Sequence, residues 1–202
     1  MKSGTKTLLI IVGLIVVLCF AGCSFYTSNY NKMVELDEEV SEAWAQVQNV
    51  YQRRYDLIPN LVETVKGYAS HESKVFSDIA EARSKVGGVI QLSAEDLDDP
   101  AKMKQFQEAQ NSLGGALQRL LSVTENYPEL QANQNFLALQ DQLEGTENRI
   151  TVERGRFNES VTEYNKFIRK FPQNIIANMS GFDQKEKFSA DNAAQSAPKV
   201  SF

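Results

Sequence analysis

The chain has 202 residues and a formal net charge of −5, and setting aside the two leading lysines leaves −7. That balance argues against a phosphate-backbone footprint, so no nucleic-acid partner is expected, and against lateral adhesion of an acidic body to anionic lipid. Both cysteines, Cys19 and Cys23, fall within the first 26 residues, which excludes disulfides and thiolate metal sites from the rest.

Residues 1–26 read as a membrane anchor. The run Leu8–Tyr26 carries no charge over 19 residues, and at about 1.5 Å per helical residue it reaches across most of a hydrocarbon core of roughly 30 Å. Two readings stand. One is a transmembrane helix, with Phe25 and Tyr26 at the interface. The other is a processed signal in which Lys2 and Lys6 precede an apolar stretch Leu8–Phe20, and Phe20-Ala21-Gly22-Cys23 resembles a bacterial lipoprotein cleavage site, with Cys23 the residue to be lipidated. Phe20 stands where that pattern usually has Leu. Lys2 and Lys6 precede the run while Glu35, Asp37, Glu38, Glu39 and Glu42 follow it against Lys32 alone, so the positive-inside rule places the body outside the cytoplasm.

Residues 27–172 read as one helical body. From Met33 the apolar positions Leu36, Val40, Ala43, Val47, Val50 and Leu57 step by three and four, with Arg54 on the same seam, and Trp44, Tyr51, Tyr55 and Ile58 add a second stripe. The seam alone has coiled-coil character; the two stripes together suit a bundle helix with neighbours on two sides. Pro59 lacks the amide that would bond back to Tyr55, but Leu61, Val65 and Tyr68 keep the period, which favours a kink over a stop. A second helix follows from Val75, Ile79, Ala82 and Val86, closed by Gly87-Gly88. Residues 89–99 read as a loop, with a brief helical turn available at Ser93-Ala94-Glu95-Asp96. Asp98-Asp99-Pro100 then starts a third helix carrying Met103, Phe106, Gln110, Leu113, Leu117, Leu120 or Leu121, and Thr124. Pro128 marks its end or a turn. Phe136, Leu139, Leu143, Thr146, Ile150, Phe157, Val161, Tyr164 and Ile168 carry a fourth helix from about Asn133 to Phe171, stopped by Pro172. The tail 173–202 reads as extended or loosely docked chain, with turn signals at Ser180-Gly181 and Pro198 and a small polar run from Ser189 to Ala197. The fold class is all-α: an anchoring helix and an antiparallel bundle of about four helices, with no repeat and no strand signal.

The string Gln52-Arg53-Arg54-Tyr55-Asp56-Leu57-Ile58-Pro59-Asn60-Leu61-Val62-Glu63-Thr64-Val65-Lys66-Gly67-Tyr68-Ala69, followed by His71-Glu72, resembles the LemA family of bacterial membrane-associated proteins. Ala82-Arg83, Tyr127-Pro128-Glu129-Leu130, Asn133-Gln134-Asn135-Phe136, Gln142 to Ile150, Tyr164-Asn165 and Phe171-Pro172 continue the likeness from about Tyr30 to Gly181. The resemblance implies a transmembrane segment and a helical bundle of uncertain molecular function, and brings no catalytic residue, metal or cofactor. It also implies a cytoplasmic body, the opposite of the side read from the flanking charges.

Arg54 on an apolar seam needs a partner, and Glu147 or Glu153 on the fourth helix could supply it. The functional alternative is an anion site with Arg53 and Lys66. Asp56 to Asn60 around Pro59 is either a locally satisfied kink or a notch for a partner. His71, the one histidine, lacks companions with metal-ligand spacing and reads as a solvated or capping side chain. Gly145 inside a helix, flanked by Glu144, Thr146, Glu147 and Arg149, suggests close helix approach opposite Trp44 or Tyr51, or a groove. No nucleophile elbow or phosphate loop appears, so neither enzyme activity nor a small-molecule ligand or cofactor is inferred. The expectation is an envelope interaction or scaffold module with an unknown protein partner. The alternative is a ligand binder or enzyme using Arg53, Arg54, Asp56, Asn60 and Glu147, and self-association of the first helix as a coiled coil is a third reading. Convergence of the polar side chains in an open pocket would favour the ligand binder, and pairing within a closed core the scaffold.

Overall fold

The computed structural model describes residues 3–189, so Lys2, the small polar run beyond Ser189 and Pro198 lie outside the described residues. Helix α1 runs without interruption over Ser3–Lys66, with Pro59 inside it, so the period past the proline does carry helix. Helix α2 (Ser73–Gly87), a 3-10 turn (Ala94–Asp98), α3 (Pro100–Thr124), a short α4 (Pro128–Gln131), α5 (Gln134–Ile168) and α6 (Gln173–Ser180) follow. No strand occurs among the described residues. The architecture is all-helical, an antiparallel bundle on α1, α2, α3 and α5, with the apolar run forming the N-terminal part of α1.

The chain divides into two compact units, Met1–Glu39 with Thr162–Gln184, and Val40–Val161 with Lys185–Phe202. In the first, every side chain from Leu8 to Tyr26 is exposed. An apolar surface of that extent on a globular protein marks a membrane or partner contact. Beyond it Met33 and Leu36 are buried with Tyr164, Ile168, Ile176 and Ala177. The tail therefore departs from the expected loose chain: residues 173–180 are helical, because Ile176 and Ala177 supply a short buried face. Gly181 ends α6 with φ 76°, a left-handed conformation that glycine adopts without strain, and the Phe182 N–H reaches back to the Ala177 carbonyl at 3.0 Å.

In the second unit the core gathers Ile58, Leu61 and Val65 of α1, Ile79, Ala82 and Val86 of α2, Leu113, Leu117 and Leu120 of α3, and Phe136 and Leu143 of α5. Asp99 caps α3 by accepting the Ala101 N–H at 2.9 Å, with Pro100 opening the helix. On α1 the seam residues Val40, Val47 and Arg54 are buried, and beside them Trp44, Tyr51 and Ile58 are buried where Ala43, Val50 and Leu57 are half-buried. The buried positions step 3, 4, 4, 3, 4, 3, 4, 3, 4 from Met33 to Val65, so a single extra step of four, from Val40 to Trp44, transfers one half of the seam to the second stripe.

Candidate functional site

Arg54 is the one charged side chain buried among the described residues. Its Nη1 donates to both carboxylate oxygens of Glu147, at 3.0 and 3.3 Å, and its Nη2 to the Gln110 backbone carbonyl at 3.3 Å and to Gln110 Oε1. The guanidinium also stands 5.0 Å from the centre of the Tyr51 ring. Three helices thus meet at one cation, α1 supplying it and α3 and α5 its acceptors. Burial pushes the Tyr51 phenol above its ordinary pKa, with Arg154 and Arg54 acting against the shift.

The other polar residues of the stretch do not join Arg54. Arg53, Asp56, Asn60, Lys66 and Arg149 are all exposed. Asp56 accepts from Gln52 Nε2 at 2.8 Å, the Asn60 carbonyl accepts from the Thr64 hydroxyl at 2.8 Å, and Lys66 lies 3.9 Å from Glu63. Glu153 pairs with Arg156 at 2.9 Å, not with Arg54. His71 is exposed in the turn between α1 and α2. Cys19 and Cys23 are free and exposed along α1. Gly145 corrects the expectation of close helix approach: a Cβ built there meets nothing within 4 Å. At Gly87 a Cβ would meet the Tyr55 hydroxyl at 3.4 Å, an ordinary contact, while Arg83 covers the Tyr55 ring at 4.2 Å.

Two contacts escaped the sequence reading. Gln110 stood on an apolar stripe, and its role as an acceptor emerges only when α3 faces Arg54. Phe188, a lone aromatic in polar chain, packs between Trp44, Phe106 and Phe157 with ring centres 5.5 to 6.3 Å apart. Asn158 holds it by accepting the Phe188 N–H at 2.9 Å and donating to its carbonyl at 3.1 Å, and Arg154 lies 4.6 Å over its ring.

Beside Glu147, α3 and α5 part to leave an open groove in two adjoining stretches of about 370 and 500 Å³ that share Gln118, Leu121 and Gln140. Leu117, Leu121, Leu143 and Phe136 contribute apolar surface, and Gly114 keeps one wall low. The charged residues lining it are Glu125, Glu144 and Glu147, with no lysine or arginine. No group of three or more metal-ligating side chains occurs among the described residues.

Comparison with known proteins adds an independent line. The family model of the LemA family matches residues 43–202. The chain is similar to Magnetosome protein MamQ of Magnetospirillum gryphiswaldense and to Magnetosome protein MamQ 2 of Paramagnetospirillum magneticum, 29% identical to each over 174 residues, 79% of this chain and 64% of the relative. To Protein LemA of Metamycoplasma hominis it is 24% identical over 152 residues, 75% of this chain and 65% of that one. It therefore spans just under two thirds of the length of these curated relatives. With the family model extending from the middle of α1 through α5 and the tail, this chain belongs to the LemA family.

Proposed function

We propose that this protein is a membrane-anchored interaction module of the bacterial cell envelope that receives a basic, apolar segment of a protein partner in the groove between α3 and α5, without a catalytic step of its own. The observation that carries the reading is the arrangement around Arg54. Both of its terminal nitrogens are engaged, Nη1 by Glu147 and Nη2 by Gln110, and Arg53, Asp56, Asn60, Lys66 and Arg149 stand apart on the surface. A ligand-binding or catalytic cluster would need those groups to converge in an open pocket. The opening that is present has apolar lining from Leu117, Leu121 and Leu143 and the carboxylates of Glu125 and Glu144, with that of Glu147 engaged by Arg54. That chemistry complements an amphipathic segment bearing Lys or Arg.

The anchor favours a transmembrane helix, because α1 continues unbroken through Cys23 into the bundle. Lipidation at Cys23 is the competing form, and the intact mass of the purified protein separates the two. Flanking charge favours a body outside the cytoplasm. Burial of Trp44, Val47, Tyr51 and Ile58 within a single chain weighs against self-association of α1 as a coiled coil.

The test is a photo-crosslinking amino acid at Gln140 in intact cells, with Gly114→Leu as the groove-filling control. Adducts on a basic amphipathic segment of another protein, lost in Gly114→Leu, are expected. Recovery of only copies of this chain or lipid would remove the reading's support.

A further inference from the structure

The chain carries an apolar face beside the anchor that the bundle does not cover. Phe171, Ile175 and Met179, spaced by four along α6 and the turn before it, are 81%, 50% and 75% exposed, while Ile176 and Ala177 on the other side of the helix are buried. Its height along α1 is fixed at the last turn of α6, where the Ser180 hydroxyl lies 3.0 Å from the Tyr26 hydroxyl, at the final residue of the apolar run. One turn further out the Phe182 ring meets the Tyr30 ring edge-on at 5.6 Å. The end of α6 therefore lies beside the last residues of the apolar run. Along the chain that leads to it the charge changes sign. From Tyr164 to Phe182 there is no acid, and Lys166, Arg169 and Lys170 are all exposed.

We propose that the α5–α6 corner is a second membrane contact, in which Phe171, Ile175 and Met179 enter the apolar edge of the bilayer around the anchor while Lys166, Arg169 and Lys170 meet anionic headgroups. An apolar face rimmed by cations is the composition of an interfacial helix, whose apolar side sinks about 5–10 Å below the headgroups. A single such turn is too short to hold a soluble protein on a membrane. Here it needs only to settle onto a surface to which α1 already confines it, where ordering costs are small. The net negative charge of the body gives no hint of this, because three cations brought to one corner act locally within a Debye length.

The proposal rests on α1 crossing or entering the bilayer, and the experiment separates the two. Full-length protein carrying Cys19→Ser and Cys23→Ser takes a nitroxide spin label at Met179→Cys, at Leu14→Cys in the anchor, or at Glu38→Cys on the exposed side of α1. It is placed in nanodiscs of one part phosphatidylglycerol to three parts phosphatidylcholine. A water-soluble nickel chelate is expected to collide with the Met179 label about fivefold less often than with the Glu38 label, and oxygen more often. Phosphatidylcholine alone is expected to raise the chelate's access at Met179 about twofold, as each surface cation loses its counter-charge. Equal chelate access at Met179 and Glu38, with Leu14 protected, would overturn the contact while leaving the anchor intact. An accessible Leu14 would overturn the anchor and the contact together, and equal access in the two lipids would remove the headgroup recognition.

Discussion

Replacing Glu147 by Gln isolates what the bundle needs from its buried cation. Arg54 is 4% exposed, and the substitution leaves Glu147's site one neutral acceptor in place of a carboxylate that now receives Nη1 through both oxygens. Removing one partner of a fully buried pair costs about 3–5 kcal/mol, since the other charge is stranded in low dielectric. The Glu147 side chain is 43% exposed, so water at the groove can replace part of its contribution, and Gln110 still accepts from Nη2. The expected cost of Glu147→Gln is therefore about 1–2 kcal/mol. Arg54→Met removes the charge and keeps an unbranched side chain in the core, so it is expected to cost no more than about 2 kcal/mol, chiefly for the Gln110 acceptors it strands. Together in one chain the two changes should cost less than their sum by about 1 kcal/mol or more. Denaturant unfolding of the full-length protein in micelles, followed by helical circular dichroism, reads all three. The reasoning fails if Glu147→Gln costs under about 0.5 kcal/mol, the scale of a solvent-exposed pair, or if the double variant is simply additive.

Other consequences follow from the same contacts. Asn158→Asp replaces the amide that donates to the Phe188 carbonyl with an acceptor, and is expected to cost about 2 kcal/mol and to open the chain near Phe188 to protease, seen as early cleavage after Lys185 or Lys187. Gly145→Ala, at an exposed mid-helix position with nothing within 4 Å, is expected to stabilise by about 1 kcal/mol, and a loss of stability would show a constraint on that glycine which the packing does not contain. Gly181→Ala, where φ is 76°, is expected to destabilise α6 by about 1 kcal/mol and to weaken the Phe182 contact with Tyr30, read by the fluorescence anisotropy of a label on α6. The Lys102 ammonium, and then Ser93 through its hydroxyl and N–H, hold the Asp96 carboxyl down at about 2 from a usual 3.8. The folded value is the lower one, so the support this contact gives the start of α3 is complete above about pH 4 and is lost as pH falls toward 2. Carboxyl NMR titration of Asp96 with a midpoint near 3.8 would contradict it.

Much of the fold was legible because burial and period coincide. Met103, Phe106, Leu113, Leu117, Leu120 and Thr124 of α3 are buried at the positions their spacing marks, and on α5 so are Phe136, Leu143, Thr146, Ile150, Phe157, Val161, Tyr164 and Ile168. Between Ile150 and Phe157 the stripe lacks an apolar residue, and the half-buried Arg154 occupies that turn against Phe188. Periodicity could not supply that residue, since Phe188 arrives from a tail with no pattern of its own. The same limit explains α6, which has too few residues for a periodic signal and takes its helix from packing. For the candidate site, Glu147 was legible as a partner of Arg54 because a cation on a seam requires an anion across it. Its exclusion of Arg53, Asp56, Asn60 and Lys66 was not, because neighbours in sequence on a helix point to different sides. The groove depends on how far α3 and α5 stand apart where Gly114 lowers the wall, which is tertiary information.

The claim that this anchored bundle works by taking a protein segment between α3 and α5 is tested most directly in living cells, by comparing photo-crosslinkers at Gln140 in the groove and at exposed Arg149 outside its lining. The account predicts adducts from Gln140 to a basic amphipathic segment of one protein, abolished by Gly114→Leu and absent from Arg149. Equal capture from both positions, or capture unaffected by filling the groove, would contradict it.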